Sequence, residues 1–453
     1  MPFENEFAKY EPLRRIVESE KVKQIQERYK LRDLPDDEQE LESIPASDLQ
    51  PSDWQPDMVI AIDGSHMEVP AKNGFPNAEI GYVAVASVLT FIDKIRELDK
   101  QEFIDPVELR KAEKTESFDS VFPGCNVILD NEVTSMASMR KAVYEEFKNY
   151  KVFADGESLL DTYEVLFRHK RVVEDSRKPK CPIDDFDCKK DLVYNDGVYK
   201  CACGKYELYS TDALRLHELM NPLGSNGEMF GQIMFTLEKL LLIHILRSFE
   251  KNNWLDTLKR IAFILDGPLA VFSTASWLTK SITVELNRIN EIAKNKNGQD
   301  ILVLGVEKTG TFVNHFEEID RKATGEPNRV PNQSVILLYH NYIKEKIIFS
   351  KSDKHYGVDT YFGRKFFYKT KTGQRLVGTV AFFNTYQQNL KTAHVNQFPR
   401  IADAISLLDQ LASSRYPNAI TPISSAHSEA SIPLNLGKRI LENIAKELMQ
   451  KNK

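Results

Sequence analysis

No uninterrupted apolar run in this sequence approaches the ~18 residues of a membrane span. Its start, MPFENEFAKYEPLRR, lacks the basic-then-apolar layout of a signal peptide, so a cytoplasmic protein with no membrane attachment is expected. An excess of positive charge is missing as well. Lys and Arg number 60 against 66 Asp and Glu, a formal net charge of −6, so a nucleic-acid partner must be held by a local patch rather than by the whole surface. Cysteine is scarce: five, an odd count, fit a reducing compartment rather than a disulfide framework. What is present is ample apolar material, 42% of 453 residues, enough for a large core and about two to three domains.

The most informative stretch runs from Gly227 to Leu269. Its first half reads as a helix from about Glu228 to Phe249, in which Met234, Phe235, Leu241 and Leu242 surround Glu238 at helical spacing. A carboxylate in an apolar stripe needs a partner, because burial penalises its charged form unless it is paired, hydrogen-bonded or metal-bound. The strand Ile261 to Leu265 then delivers Asp266-Gly267-Pro268 at its carboxyl end, where open sheets hold ligands. Earlier, Met58 to Ile62 closes in the same way on Asp63-Gly64-Ser65-His66, and Ile80 to Ile92 reads as the antiparallel return after a turn through VPAKNGFPN. One Asp-Gly pair is usually a turn. Two of them, each ending an uncharged strand, with a glutamate on an apolar helix between, form a more specific set. The competing reading makes both pairs ordinary turns, pairs Glu238 with a core basic group and has His427 cap a helix.

A strand, Asp-Gly and hairpin opening resembles the start of a ribonuclease H like fold. The whole order, AIDGSH, the helix of Glu238, FILDGPL, LVLGVEKTG with Lys308 and RYPNAITPISSAH, resembles the NurA family of nucleases, which work beside HerA-type DNA translocases. The resemblance covers roughly residues 56 to 92 and 227 to 435. It implies an α/β fold with a ribonuclease H like mixed sheet flanked by helices. It further implies that Asp63, Glu238 and Asp266 are metal-binding carboxylates, that His427 joins them and that Tyr416 lies in the same site. A homodimer, a hexameric HerA-like ATPase as partner, and a role in 5′ to 3′ DNA end resection or phage defence are implied in the same way.

The chemistry asks for these residue types independently. Phosphodiester hydrolysis requires a water placed in line with the leaving oxygen and stabilisation of added negative charge, which a pair of hard cations supplies. Three carboxylates suit Mg²⁺ or Mn²⁺, and an imidazole among them favours Mn²⁺. Lys308 leaves the expected strand Ile301 to Val306 where a scissile phosphate would lie and could neutralise it; simple solvation at a strand end is the alternative.

Residues 93 to 225 read as an insertion into a core formed by 56–92 and 226–435, with a helical segment and linker over 1–55 and a last helix over 436–453. The insertion carries helix-rich sequence from Met136 to Phe167 and the cluster Cys181, Cys188, Cys201 and Cys203, which can supply a closed, structural Zn²⁺ site; unlinked thiols in a loop are the alternative. His217 reads as a surface histidine. Residues 360 to 402 hold no Asp or Glu, while Arg364, Lys365, Lys369, Lys371, Arg375, Lys391 and Arg400 are interleaved with aromatic residues. The rings are expected mainly in the core and the charges mainly along a DNA-strand groove. Helices are further expected over about Leu13 to Leu31, 277 to 297 and from Ile401.

A metal-dependent DNA nuclease is therefore the expected function. Actin-like and sugar-kinase ATPases share this core, but their phosphate loops want Asp-x-Gly followed by further Gly or Thr, which neither DGSH nor DGPL provides. A non-catalytic DNA clamp serving a translocase and a nuclease acting on RNA are the other candidates.

Overall fold

The computed structural model describes residues 10–29, 42–50, 52–71, 78–94, 113–173, 193–201, 207–322, 324–326, 328–412, 420–431, 440 and 442–443. The chain divides into two units, Met1–Leu41 and Glu42–Lys453. The first holds two short helices, Glu11–Glu18 and Glu20–Arg28. The continuous helix expected there is interrupted at Ser19, whose backbone is extended.

The second unit is built around central strands that are apolar on both faces. β1 (Met58–Pro70), β2 (Glu79–Phe91) and β3 (Glu113–Pro123) form antiparallel pairs, β2 returning along β1 as expected, while residues 72–77 of the expected turn lie outside the described residues. Helices α1 (Ser135–Asn149) and α2 (Leu159–Val173) follow, then α3 (Gly227–Lys251), which carries Glu238. Strand β4 (Ile261–Asp266), helix α4 (Leu278–Asn297) and strand β5 (Leu302–Glu307) complete the central run. Beyond lie α5 (Thr311–Asp320), β6 (Ser334–Leu337), β7 (Gly363–Lys369), β8 (Arg375–Ala381), α6 (Ile401–Leu411) and α7 (Thr421–Ala430).

With the short edge strand Ile44–Pro45, β1 to β8 make one sheet in the order Ile44–Pro45, β6, β7, β8, β5, β4, β1, β2, β3. β4 runs parallel to β1 and β5 parallel to β4, while the other pairs are antiparallel. Parallel neighbours need long crossovers, and α3 and α4 occupy those connections. Alternation along the strands feeds two cores. Ile60, Ile62, Phe263, Leu265 and Val303 face one, packed with side chains of α1 to α4; Val59, Ala262, Ile264, Leu302, Leu304 and Val306 face the other, packed with α6 and Ile423 of α7.

Three expectations change. β1 does not end at Asp63-Gly64 but continues to Pro70, because β2 pairs with it over its whole length. Part of the segment expected to be an insertion, Glu113–Pro123, is a full strand of the sheet. Helix α3 is long and apolar enough to cross a membrane by length and composition, but most of it is buried as the central core helix. Tyr416, Cys181, Cys188, Cys203 and most of the expected C-terminal helix lie outside the described residues, as does part of the linker expected before residue 55. Cys201 is described and buried, and Val193–Asn195, Val198–Lys200 and Glu207–Tyr209 form a small separate sheet around it in sequence.

Candidate active site

The parallel register between β1 and β4 brings the two aspartates together. Met58 lies opposite Ile261 and Ile62 opposite Leu265, so the next residues are Asp63 and Asp266. Side chains alternate along both strands, and the two carboxylates therefore emerge on the same face, the one that α7 covers. His427 of α7 reaches this point, its Nδ1 3.1 Å from Asp63 Oδ2. Lys308, just beyond β5, places Nζ 3.0 Å from Asp266 Oδ2 and 3.5 Å from Asp63 Oδ2.

Glu238 comes from the other side of the sheet. It can approach because the residue after Asp63 is glycine: a Cβ on Gly64 would stand 2.6 Å from Met234 Cγ and 2.9 Å from Glu238 Oε1. The Asp-Gly pair in β1 is thus not a turn but an aspartate followed by the gap through which α3 packs. Gly305 serves β5 similarly, since a Cβ there would meet the Gly267 carbonyl oxygen at 2.5 Å and block the Gly267-Pro268 loop.

Asp63, Glu238, Asp266, Lys308 and His427 all line one cavity of about 890 Å³, together with Gly64, Met234, Phe235, Glu307 and serines of α7. Five residues named from separate parts of the sequence converge there. Asp63 and Glu238 are only 3% and 2% exposed. Burial, then the neighbouring Asp266 carboxylate, push the Asp63 carboxyl up to about 8; Lys308 opposes this, Glu238 adds to it and the Gly64 N–H opposes it. Burial also raises Glu238, against the pull of the Lys239 ammonium 2.5 Å away. The partner that the apolar stripe demanded is therefore, in this state, the adjacent lysine, as the competing reading held. Among the described residues no three His, Cys, Asp or Glu side chains are gathered closely enough to hold a metal ion as they stand. Two ammonium groups lie among these carboxylates, with Lys308 set against Asp63 and Asp266 and Lys239 against Glu238.

Glu307 is expected beside Lys308 at the strand end where a scissile phosphate would lie, but two features are not foreseen: its ion pair and the exposure of Phe235. Glu307 lines the cavity and pairs with Lys365, whose ammonium also lies 4.0 Å from the centre of the Phe312 ring. Phe235, expected among the core residues around Glu238, is 50% exposed. Neither feature carries a sequence signal of its own: Glu307 lies at a strand end, and Phe235 falls on the apolar side of the helical periodicity.

The cations of 360 to 402 are used differently from expectation. Arg364, Lys365 and Lys369 are buried on β7, the first bonded to the backbone oxygens of Gln387, Asn389 and Thr392. Lys369 pairs with buried Asp320 at 2.8 Å, and Arg375 reaches the same carboxylate at 3.2 Å. Acids from other segments, Glu307 and Asp320, supply the countercharge of Lys365 and Lys369, so these three buried cations are engaged within the fold rather than set out on an open surface. Lys371 is the exposed member of the expected five. The rings do behave as expected: Phe362, Phe366, Phe367 and Tyr368 are fully buried.

A model of the NurA domain matches residues 57–432. Among solved structures, the NurA nuclease from Sulfolobus solfataricus is similar over 88% of this chain and 86% of its own, with 10% identity and a TM-score of 0.33. A second NurA crystal structure is similar over 97% of both chains, with 12% identity and a TM-score of 0.23. Comparison with curated proteins finds no match. With the domain model spanning β1 to the end of α7 and every described carboxylate of the cavity inside it, the chain belongs to the NurA family.

Proposed function

We propose that the protein is a divalent-metal-dependent DNA nuclease whose site is the cavity of Asp63, Glu238 and Asp266. The observation that carries the reading is the convergence of these carboxylates, two of them on adjacent parallel strands and one on a buried helix, with Lys308 and His427 in the same cavity. The order β3, β2, β1, β4, β5, with β2 antiparallel to both β1 and β3 while β1, β4 and β5 run parallel, supports a ribonuclease H like core.

The donor set fits a hard cation. Burial and mutual repulsion hold the Asp63 carboxyl at about 8, far above an ordinary aspartate, so its negative form lacks compensation that a divalent ion would supply. Asp63, Glu238 and Asp266 would hold Mg²⁺ or Mn²⁺, with His427 as a further ligand. The bound ions would polarise the phosphodiester and activate a water. Lys308, already seated between the carboxylates, turns to the phosphate and neutralises it. His427, whose side chain is more than half exposed, stays beside the site through its Nδ1, 3.1 Å from Asp63 Oδ2. Tyr416, which lies outside the described residues, is added to this set by the family resemblance alone.

Asp266→Asn tests the assignment. Asn keeps the volume and one acceptor oxygen but not the charge, so folding should persist while Mn²⁺-dependent cleavage of labelled DNA falls on the order of 10³-fold or more. Near wild-type cleavage by this variant would refute the site. The substrate reading is separated from RNA and ATP by offering all three to the same preparation.

Three further parts of the reading rest on the family resemblance or on spacing: a homodimer, a hexameric HerA-like ATPase partner in 5′ to 3′ end resection or phage defence, and a structural Zn²⁺ on Cys181, Cys188, Cys201 and Cys203. Light scattering with and without the ATPase tests the first two. Metal analysis after dialysis against a weak chelator tests the third.

A further inference from the structure

We propose that Phe235 is a substrate-positioning residue that stacks on a nucleobase of the DNA strand in the carboxylate cavity, so that the site holds an unpaired base beside the phosphate it cuts. The inference rests on the nuclease reading and extends it to how the strand is held.

Helix α3 makes the residue conspicuous. From Met229 to Ser248 every side chain is buried except Gln232, which is half-buried, and Phe235, which is 50% exposed. An aromatic ring as the exposed member of the central core helix runs against the rule that such a helix buries its large apolar groups. The exposure is also localised: Phe235 lines the same cavity as Asp63, Glu238, Asp266 and Lys308, with Met234 and Pro268 as its apolar neighbours there. Residues three apart on a helix share a face and stand roughly 5–6 Å apart, which sets the ring one turn from the Glu238 carboxylate. The Lys239 ammonium lies 5.8 Å from the ring centre. Carboxylates and Lys308 serve the phosphate; a flat apolar ring serves a base, because every base presents a π face whatever its sequence. A paired base has its faces covered by the stack, so an open ring at this position selects a strand end or a single strand.

The experiment measures binding in EDTA, where no cleavage occurs, using a single-stranded DNA oligonucleotide containing 2-aminopurine and the intact chain. Stacking on Phe235 quenches the fluorophore. Phe235→Ala and Phe235→Leu should each weaken binding about 10-fold and abolish the quench, while Phe235→Trp restores both. Leu retains the apolar cover over Lys239, so it keeps the test valid if Ala disturbs the helix. An oligonucleotide with an abasic residue in place of 2-aminopurine should bind the wild type about 10-fold more weakly and the Leu variant no more weakly than the normal strand does, since the ring and the base act as one pair. Wild-type affinity and retained quenching in Phe235→Leu would overturn the proposal while leaving the nuclease reading intact. So would unchanged DNA binding combined with a shift from dimer to monomer, which would assign the ring to a second copy of the chain. Failure of the wild type to bind any oligonucleotide, both in EDTA and in Ca²⁺ as a non-catalytic divalent ion, would overturn both readings.

Discussion

Replacing Lys308 by methionine probes what balances the carboxylate cavity when no cation is added. The ammonium stands 3.0 Å from Asp266 Oδ2 and 3.5 Å from Asp63 Oδ2. At an effective dielectric constant near 20, a unit pair at the shorter distance is worth about 5.5 kcal/mol before desolvation. Lys308 and Asp266 are 26% and 25% exposed, so solvent screening reduces the net loss to about 1–2 kcal/mol. Met preserves the stem, leaving the charge as the main change. For a chain of 453 residues the loss corresponds to a fall in melting temperature of roughly 1–2 °C in EDTA. Adding millimolar Mn²⁺ should stabilise the variant more than the wild type, because the ion no longer competes with an ammonium for the same carboxylates. Thermal melts of both proteins with and without Mn²⁺ give the comparison. Equal melting temperatures in EDTA together with equal Mn²⁺ shifts would falsify the view that Lys308 and the cation answer the same charge.

Gly64→Ala should destabilise the fold by about 1–3 kcal/mol and depress cleavage as well, since the added methyl meets Met234 and Glu238; urea unfolding and a DNA cleavage assay read the two effects. Lys369→Met should cost about 1.5–3 kcal/mol, because buried Asp320 loses one cation but keeps Arg375 and the Val330 N–H, yet leave the salt dependence of DNA affinity unchanged, as measured by binding titrations across salt concentrations. Glu285 provides a pH test: burial raises its carboxyl, but bonds from Arg288, His169 and Arg247 outweigh burial and hold it at about 2. A depressed carboxyl contributes its full stability above its ordinary value of 4.5 and loses it as pH falls through about 2, so Glu285→Gln should be less stable than the wild type at pH 6 and converge on it towards pH 2 in urea melts.

Much of the centre of this fold was legible because its signals are local. The helix from 228 to 249, the strand from 261 to 265 and the helix from 277 each appear within a few residues of the expected bounds, as strong apolar periodicity permits. Asp63 and Asp266 were legible because an acid adjoining an uncharged strand is conspicuous in one dimension. The fate of Lys369 was not, since Asp320 lies on another element and pairs across the fold. Charge composition within a window says nothing about countercharge brought from outside it. Gly64 misled in the opposite direction: its role is steric and toward α3, while the dipeptide alone suggests a bend. Phe235 was hidden by its own periodicity, because a cavity in the surface of a core is not visible in the spacing of apolar residues.

The placement of Gly64 also has a mechanical consequence. Asp63 and Asp266 belong to the sheet, His427 hangs from a helix on one side of it, and Glu238 arrives from the helix on the other. The cavity is thus a seam where three layers meet at one edge, and any ligand gripped by all of them fastens the layers together. Slippage of α3 along the sheet by one helical position, 1.5 Å, would misplace Glu238 while leaving both aspartates where they are. The site is in that sense a gauge of how faithfully the two cores are aligned, and on the proposed reading substitutions deep in either core, far from any substrate, should register first as altered affinity for the cation.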